Sequence, residues 1–325
     1  MDRLNDDSKV VDQENIEFPA SLPPVVLVLM PLFRSIDVVD MQISSILNQS
    51  GVAVKLVCYD DSPAQESRLY VEARYPNVLF LESGLRFGNA ARSFFFLLRH
   101  TKSLLHEVDW VAFSDHDDIW GRDKLCHAIL CLRRENAVGF SSSVTSIGYG
   151  SEIGFSAGHH VGKVIKQTPL DYFFEGPGPG CSFVMAPSFI TNEVLPTLDH
   201  PKIDTIFWHD WFIYFLARAR GYSWYISDVS HILYVQYGTN ETGVNRGWSA
   251  AQRRLAWLRS GWYIRQALAM ADVANHKAET IDRLQRLSWR DLLYFSKNVA
   301  KLRRRFAHCL VILITLFLVG RRDDI

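Results

Sequence analysis

The chain has 325 residues with 35 basic and 35 acidic side chains, so its formal net charge is zero, and this argues against wholesale nucleic-acid binding, which carries a basic excess. Hydrophobic residues make up 48%, enough for a sizeable core in one large domain or one domain with an accessory piece. Cys58, Cys126, Cys131, Cys181 and Cys309 are odd in number and form no CxxC pair, which excludes a zinc ribbon or disulfide framework and favours a reducing compartment.

The N-terminal stretch MDRLNDDSKVVDQENIEF is polar and has no apolar h-region, so residues 1–21 are expected to be a disordered tail, not a secretory signal. VVLVLM (Val25 to Met30) reads as a buried parallel strand. VDMQISSILNQ (Val39 to Gln49) places Met41, Ile43, Ile46 and Leu47 at helical spacing, with Gly51 as a stop. VKLVCY (Val54 to Tyr59) is a second strand, a helix runs from there to Tyr75, and NVLFLE is a third strand. Asn89 to Lys102 reads as a helix, Trp110 to Ser114 as a fourth strand, and Arg122 to Glu135 as a further helix. Such alternation means βαβ units and a mostly parallel α/β sheet with helices on both faces, and ligands bind such sheets beyond the carboxyl ends of the strands.

After Ala137 the pattern loosens. GPGPG (Gly176 to Gly180) predicts a tight turn before a strand in CSFVMA. WFIYFLARARG reads as a helix with Asp210 at its start and Gly221 at its end, and WYISDV and HILYVQY read as two short strands. From Trp248 onward the sequence is helical. At its end, CLVILITLFLV (Cys309 to Val319) is apolar and flanked by Lys301, Arg303, Arg304, Arg305, Arg321 and Arg322. That run is shorter than the about 20 residues needed to cross a bilayer, leaving a buried helix or an interfacial helix on an anionic membrane surface.

Two acidic clusters fall at strand ends. Asp115, Asp117 and Asp118 follow WVAF, and carboxylates in a D-x-D at such a point can share one divalent cation; the bland alternative is a solvated turn with a helix cap. A haloacid-dehalogenase-type phosphatase also carries D-x-D after an apolar strand, with Asp115 then the nucleophile. However, this chain has Ile119 at the fifth motif position, and the motif follows the fourth strand, not the first. Asp60-Asp61-Ser62 can accept from a pyrimidine N3–H or simply open an Asx turn. In His209-Asp210-Trp211, Asp210 is either a general base or a helix N-cap.

In this order the motifs resemble a family 2 glycosyltransferase of the GT-A fold, nearest the rhamnosyltransferase-like branch. The residues that carry the resemblance are SILNQ (Ser45 to Gln49), DDS (Asp60 to Ser62), AFSDHDDIWGRDKL (Ala112 to Leu125), GPGCSFVM (Gly178 to Met185), HDW (His209 to Trp211) and LYVQYGTNETG (Leu233 to Gly243). The resemblance implies an inverting, nucleotide-sugar-dependent transferase acting on a hydroxyl of a cell-surface glycan or lipid-linked acceptor, in the cytoplasm or at the inner face of the plasma membrane. It implies that Asp60 and Asp61 meet the donor base, that Asp115 and Asp117 bind the donor through Mg²⁺ or Mn²⁺, and that Asp210 deprotonates the acceptor. Pro31 and Arg86 join the donor set, and Gly180, Cys181, Ser182, Trp208, His209, Trp211 and the loop Gly238 to Gly243 the acceptor set. Asp118 is expected only to shape the turn, and the counter-charge for the cluster is expected to be the metal-bound nucleoside diphosphate, not a Lys or Arg. Relatives often have His where this chain has Tyr237, so His209, His231 or water would supply the third metal ligand. A non-catalytic relative that only binds a partner is the remaining alternative. The expected domains are a transferase domain over 22–245 and a helical extension over 246–325.

Overall fold

The computed structural model describes residues 22–150, 154–155, 158–162, 166–236 and 260–320. The expected tail, Tyr237 and the loop Gly238 to Gly243 lie outside the described residues.

Strand β1 (Val25–Leu32) is apolar throughout because it lies inside the sheet with helices on both faces. Val26, Val28, Met30 and Leu32 enter an apolar cluster with helices α1 (Val39–Leu47) and α4 (Lys124–Glu135), while Leu27 and Leu29 face the opposite cluster. Strands β2 (Ala53–Asp60) and β4 (Trp110–Phe113) flank β1 in parallel, and β3 (Leu79–Leu81) lies parallel outside β2. Helix α2 (Glu66–Arg74) follows β2, and α3 (Ala90–His100) precedes β4.

The expected parallel order therefore holds for the first four strands. Beyond β4 the sheet becomes mixed: β9 (Val184–Met185) is antiparallel to β4 and to β6 (Gly139–Gly150). Strand β10 (Trp224–Gln236) runs parallel to β6, and β5 (Ile119–Trp120) closes this edge antiparallel to β10. Short strands β7 (Gly154–Phe155) and β8 (His159–Val161) pair with β6.

Three local expectations are revised. WYISDV and HILYVQY form one strand, β10, because register shifts after Ser227 and Ser230 absorb the polar middle of the segment. CSFVMA contributes only Val184–Met185, since Gly180–Ser182 forms a 3₁₀ turn. The helix expected from Arg122 starts at Lys124, because Ile119 and Trp120 are taken up by pairing with Leu233 and Ile232.

Short helices α5 (Pro187–Phe189) and α6 (Leu195–Leu198) flank a π-helical turn and lead to α7 (His209–Ala219). Helices α8 (Trp262–Val273), α9 (Glu279–Arg286), α10 (Trp289–Lys297) and α11 (Phe306–Val319) follow. Ile264, Met270, Phe295 and Leu316 from these helices join the same apolar cluster as Phe212 and Phe215 of α7. Burying that common surface fixes α7, and with it the HDW segment, against the sheet.

The polar residues of SILNQ and its approach have a defined task. Buried Gln42 donates from Nε2 to Ser114 Oγ at 2.6 Å, and Ser45 Oγ accepts from Trp120 N–H at 3.0 Å. Gln49 donates to the Gly121 carbonyl at 2.8 Å and accepts from Leu125 N–H at 3.0 Å. The segment carrying the three aspartates is thus held at both ends by one helix face. Replacing Gln49 with Leu leaves two groups of this segment unpaired in a buried site, so a loss of about 2 kcal/mol is expected in urea denaturation. An unchanged midpoint would contradict the clamp.

Candidate active site

The carboxyl ends of β1, β2 and β4 present the acidic residues. Asp60 and Asp61 are both buried, with their oxygens engaged. Asp60 accepts from Ser62 N–H (2.9 Å) and Arg68 N–H (2.8 Å), which is the Asx turn that DDSP predicts and also satisfies the start of α2. Asp61 accepts from Phe87 N–H and Gly88 N–H, each at 2.6 Å, tying the β3–α3 loop to the end of β2. Tyr59 reinforces this tie by donating to the Leu85 carbonyl. A carboxylate can accept about four hydrogen bonds, so Asp61 retains acceptor capacity beside its structural task.

This tie brings Arg86 to the end of β1. Its guanidinium lies 5.5 Å from the centre of the Phe33 ring, and that of Arg34 lies 5.4 Å from the same ring. Arg34 is a residue that sequence reasoning missed; it adopts φ 48° while its N–H donates to Ser62 Oγ at 2.8 Å. Buried Pro31 lies opposite Tyr59 in β1. Val25 and Leu29 use their carbonyls toward the β4 side (Asp109 N–H at 2.9 Å, Ser114 N–H at 3.1 Å), and Pro31 is next on that side, past the end of β4. Its missing N–H therefore interrupts no ladder.

Within the D-x-D turn, Asp115 and Asp117 are half-buried and Asp118 is 1% exposed. Both oxygens of Asp118 are buried without a hydrogen-bond partner. Ligand atoms of Asp115, Asp118 and Cys181 all lie within 4.8 Å of one another, and Asp117, expected as the metal ligand, is not in that group. Burial, then the charges of Asp115 and Asp117, hold the Asp118 carboxyl well above the ordinary range. Asp118 is thus more than a turn-former.

The expectation that no Lys or Arg attends this cluster is also revised. Lys124 is 1% exposed, lies over the Trp120 ring at 3.3 Å from its centre, and is electrostatically coupled to Asp118. Burial pushes its ammonium down to about 7. The DKL tripeptide carried this signal, since a Lys inside an apolar helix face needs a reason to be buried.

Asp210 is not the N-cap of α7. Trp208 occupies that position without a side-chain cap, and Asp210 lies in the first turn, where its Oδ1 accepts from Trp211 N–H at 2.7 Å. A single peptide bridges Asp210 and the acidic turn. A Cβ built on Gly180 would come 2.5 Å from His209 Nε2 and 3.4 Å from Asp210 Cβ, while neighbouring Cys181 belongs to the Asp115–Asp118 group. Consecutive Cα atoms are about 3.8 Å apart, so the D-x-D turn and Asp210 both lie against the Gly180–Cys181 pair.

The remaining acceptor-side residues separate into two groups. Ser182 is fully buried; its hydroxyl donates to the Pro179 carbonyl (2.7 Å) and accepts from Ser142 N–H (3.1 Å), so it shapes the turn and presents no free hydroxyl to a ligand. Cys181 is equally buried, so its side chain meets Asp115 and Asp118 instead of an acceptor. Trp208 and Trp211 line a cavity of about 360 Å³, to which Asp210 between them in the chain does not contribute. His209 is buried and stacks on Phe94 at 4.1 Å between ring centres, with Phe113 at 5.6 Å. His231 packs against His127 at 4.8 Å. Neither histidine joins the possible metal group among the described residues, and Tyr237 lies outside them. The set that does converge is two carboxylates and a thiol. Its oxygens, two of them unpartnered on Asp118, fit Mg²⁺ or Mn²⁺, whereas the thiol is a softer donor.

Comparison with known proteins identifies the family. The chain is 33% identical to the dTDP-rhamnosyl transferase RfbG of Shigella flexneri over 293 residues, covering 86% of this chain and 96% of that protein. The chain belongs to that glycosyltransferase family. As a member, it is a nucleotide-sugar-dependent glycosyltransferase, and the phosphatase and purely binding alternatives fall away. No protein-family model matches the chain. The crystal structure of S. aureus TarS is similar at a TM-score of 0.50 and 14% identity, covering 87% of this chain and 55% of that one. The likeness is one of fold, and the fold of this glycosyltransferase is GT-A with C-terminal helices.

Burial pushes the His209 imidazole down to about 3, against about 6.5 in an unfolded chain. The unfolded chain therefore takes up a proton below pH about 6.5 that the folded one refuses, so this contribution is present above that pH and lost as pH falls toward 3. Denaturation midpoints measured from pH 7.5 down to pH 4.5 should fall less steeply for His209→Leu, by up to about 1.4 kcal/mol per unit. Parallel profiles would show that His209 is protonated in the folded state.

Proposed function

We propose that this glycosyltransferase moves a sugar, rhamnose by analogy with its relative, from a nucleoside-diphosphate donor to an acceptor hydroxyl with inversion at the anomeric carbon. The observation that supports this reading is that Gly180 packs close to Asp210 while its neighbour Cys181 lies with Asp115 and Asp118. Asp210 takes the acceptor hydroxyl proton as the oxygen attacks the anomeric carbon. The new glycosidic bond forms as the bond to the diphosphate breaks, in one displacement that inverts configuration. Asp60 and Asp61 meet the donor base at the end of β2, and Arg34 and Arg86, both against the Phe33 ring at the end of β1, supply positive charge for its diphosphate.

Asp115 and Asp117 would hold the divalent metal as the D-x-D pair, while the ligand atoms that converge among the described residues are those of Asp115, Asp118 and Cys181. Mg²⁺ or Mn²⁺ held there would supply positive charge to offset that of the departing diphosphate. Trp208 and Trp211 form the wall on which the acceptor rests, and buried His209, stacked on Phe94, stays behind it.

The acceptor is a cell-surface glycan or lipid-linked saccharide, met at the cytoplasmic face of the membrane. The support is α11, whose Phe306, Leu310, Val311, Ile314, Phe317 and Leu318 are exposed next to Arg303, Arg304 and Arg305. Its 14 residues span about 21 Å, less than the about 30 Å hydrocarbon thickness, and no helix among the described residues is long and apolar enough to cross a membrane. An interfacial position uses both its apolar face and its basic flank.

Asp210→Asn is expected to lower kcat by about 10²–10⁴-fold while leaving the thermal shift caused by dTDP and Mn²⁺ unchanged. Full transfer by that variant would remove Asp210 from the mechanism. Comparing Asp117→Ala with Asp118→Asn identifies the second metal ligand. The first should abolish the Mn²⁺-dependent thermal shift with dTDP and the second should keep it, and the reverse result would assign the metal to Asp118.

A further inference from the structure

Sequence alone makes His231 a candidate metal ligand, and the structure seats it outside the D-x-D group, with its ring 4.8 Å from that of His127 in α4. His127 and Cys131 stand one turn apart on α4, so their side chains leave the same face of the helix. Cys131 Sγ lies 3.6 Å from His127 Nε2, and Ser227 Oγ lies 3.4 Å from the same nitrogen. Zn–S and Zn–N bonds of about 2.3 and 2.0 Å at a tetrahedral angle hold two ligand atoms about 3.5 Å apart. The thiol and the imidazole thus already keep the spacing of two ligands to one ion. Cys131 is buried and the two histidines are half-buried. His231 lies in β10 between Ser230 and Leu233, where the register against β6 shifts. Such bulges re-aim side chains, and here the imidazole ends against α4.

The histidine pair is short of hydrogen-bond partners. His231 Nε2 is buried with none. A thiol or hydroxyl hydrogen bond at His127 Nε2 satisfies His127 and gives His231 nothing. Burial holds both imidazoles below the ordinary range, His127 down to about 4, so each is neutral near pH 7 and keeps a lone pair for a metal. Each also meets one carboxylate and one cation: Asp228 and Arg134 act on His127, Asp123 and Lys124 on His231. The negative charge that a divalent ion needs therefore comes from Cys131, whose thiol proton passes to solvent when the sulfur is coordinated.

We propose that His127, Cys131 and His231 form a structural site for Zn²⁺, separate from the donor-side Mg²⁺ or Mn²⁺. Two imidazoles and a thiolate are a donor set suited to that borderline-soft ion, with water as the fourth ligand. The three ligand atoms do not converge as they stand, since among the described residues such atoms gather within 4.8 Å only at Asp115, Asp118 and Cys181. Rotation of the His231 side chain toward the α4 pair closes the site. Its place in the fold gives the ion a task. Gly121 N–H donates to the His231 carbonyl at 2.7 Å, and the next residues, Ile232 and Leu233, pair with Trp120 and Ile119 of β5. A metal cross-link from α4 to β10 at this point braces the segment that leaves the D-x-D turn.

The test is titration of the full-length, untagged protein with Co²⁺, a spectroscopic substitute for Zn²⁺, in excess Mg²⁺ to occupy the donor side. Wild type should take up one equivalent, with a thiolate-to-cobalt charge-transfer band and the visible bands of a tetrahedral ion. Cys131→Ser should remove the charge-transfer band, and His127→Gln and His231→Gln should each weaken uptake by more than about ten-fold. Cys181→Ser should leave the band unchanged. No band in wild type, or its survival in Cys131→Ser, would overturn the proposal; its loss in Cys181→Ser would do the same by moving the ion to the Asp115–Asp118–Cys181 group. Melting temperature gives a second readout that does not depend on the histidine variants folding. Zn²⁺ should raise it for wild type and leave it unchanged for Cys131→Ala, whereas an equal rise in both proteins would count against the site. Neither measurement uses a donor or turnover, so failure here is distinguishable from failure of the transfer mechanism.

Discussion

Everything at the donor edge depends on how a carboxylate is kept inside the protein beside two others. Asp118 is buried with both oxygens unpartnered, and Asp115 and Asp117 lie in the same turn. An isolated buried charge would be prohibitive, so proton and counter-charge have to be arranged around it. Burial raises the Asp118 carboxyl and depresses the Lys124 ammonium, so both move toward neutrality. The hydrogen bonds from Gln42, Ser45 and Gln49 then fix the backbone that carries the group. The turn is therefore rigid before any ligand arrives, and its two half-buried aspartates are the ones left for chemistry.

A second constraint joins the two halves of the mixed sheet. Strand β9 crosses from the parallel half to β6, and the turn just before it carries Gly180 and Cys181 between the D-x-D segment and α7. No side chain larger than hydrogen fits at Gly180 without meeting the His209 ring at 2.5 Å. That close approach limits how far α7, with Asp210 in its first turn, can stand from the D-x-D segment. Packing of α8 to α11 on the far side of α7 keeps the helix from drifting away from it.

The parallel half of the fold was legible because its strands are short apolar runs separated by helical spacing, with both acidic clusters at strand ends. The mixed half was not. Two-residue strands such as Ile119–Trp120 carry no periodic signal, and β10 conceals its continuity behind a bulge at a polar stretch. At the site, Asp115 and Asp210 could be picked out by motif, but their partners could not. Ser182 and Cys181 look like surface turn residues in GPGPGCS, and only the close packing of the turn shows that both are buried. Lys124 and the Asp118 oxygens depend on burial, which a single sequence does not display. The arginines before α11 read as a membrane flank, and nothing local to that stretch says that they face the HDW tryptophans.

The tether at Asp61 has a consequence for how donor preference can change. Asp61 grips only main-chain N–H groups of the β3–α3 loop, and Tyr59 holds a main-chain carbonyl there. The loop's path is therefore written largely in the end of β2, with Ser83 and Phe87 of the loop packing back on Tyr59, while Arg86 can vary without releasing it. A substitution at Arg86 would thus change the charge at the end of β1 while the main-chain ties from Asp61 keep the loop in place.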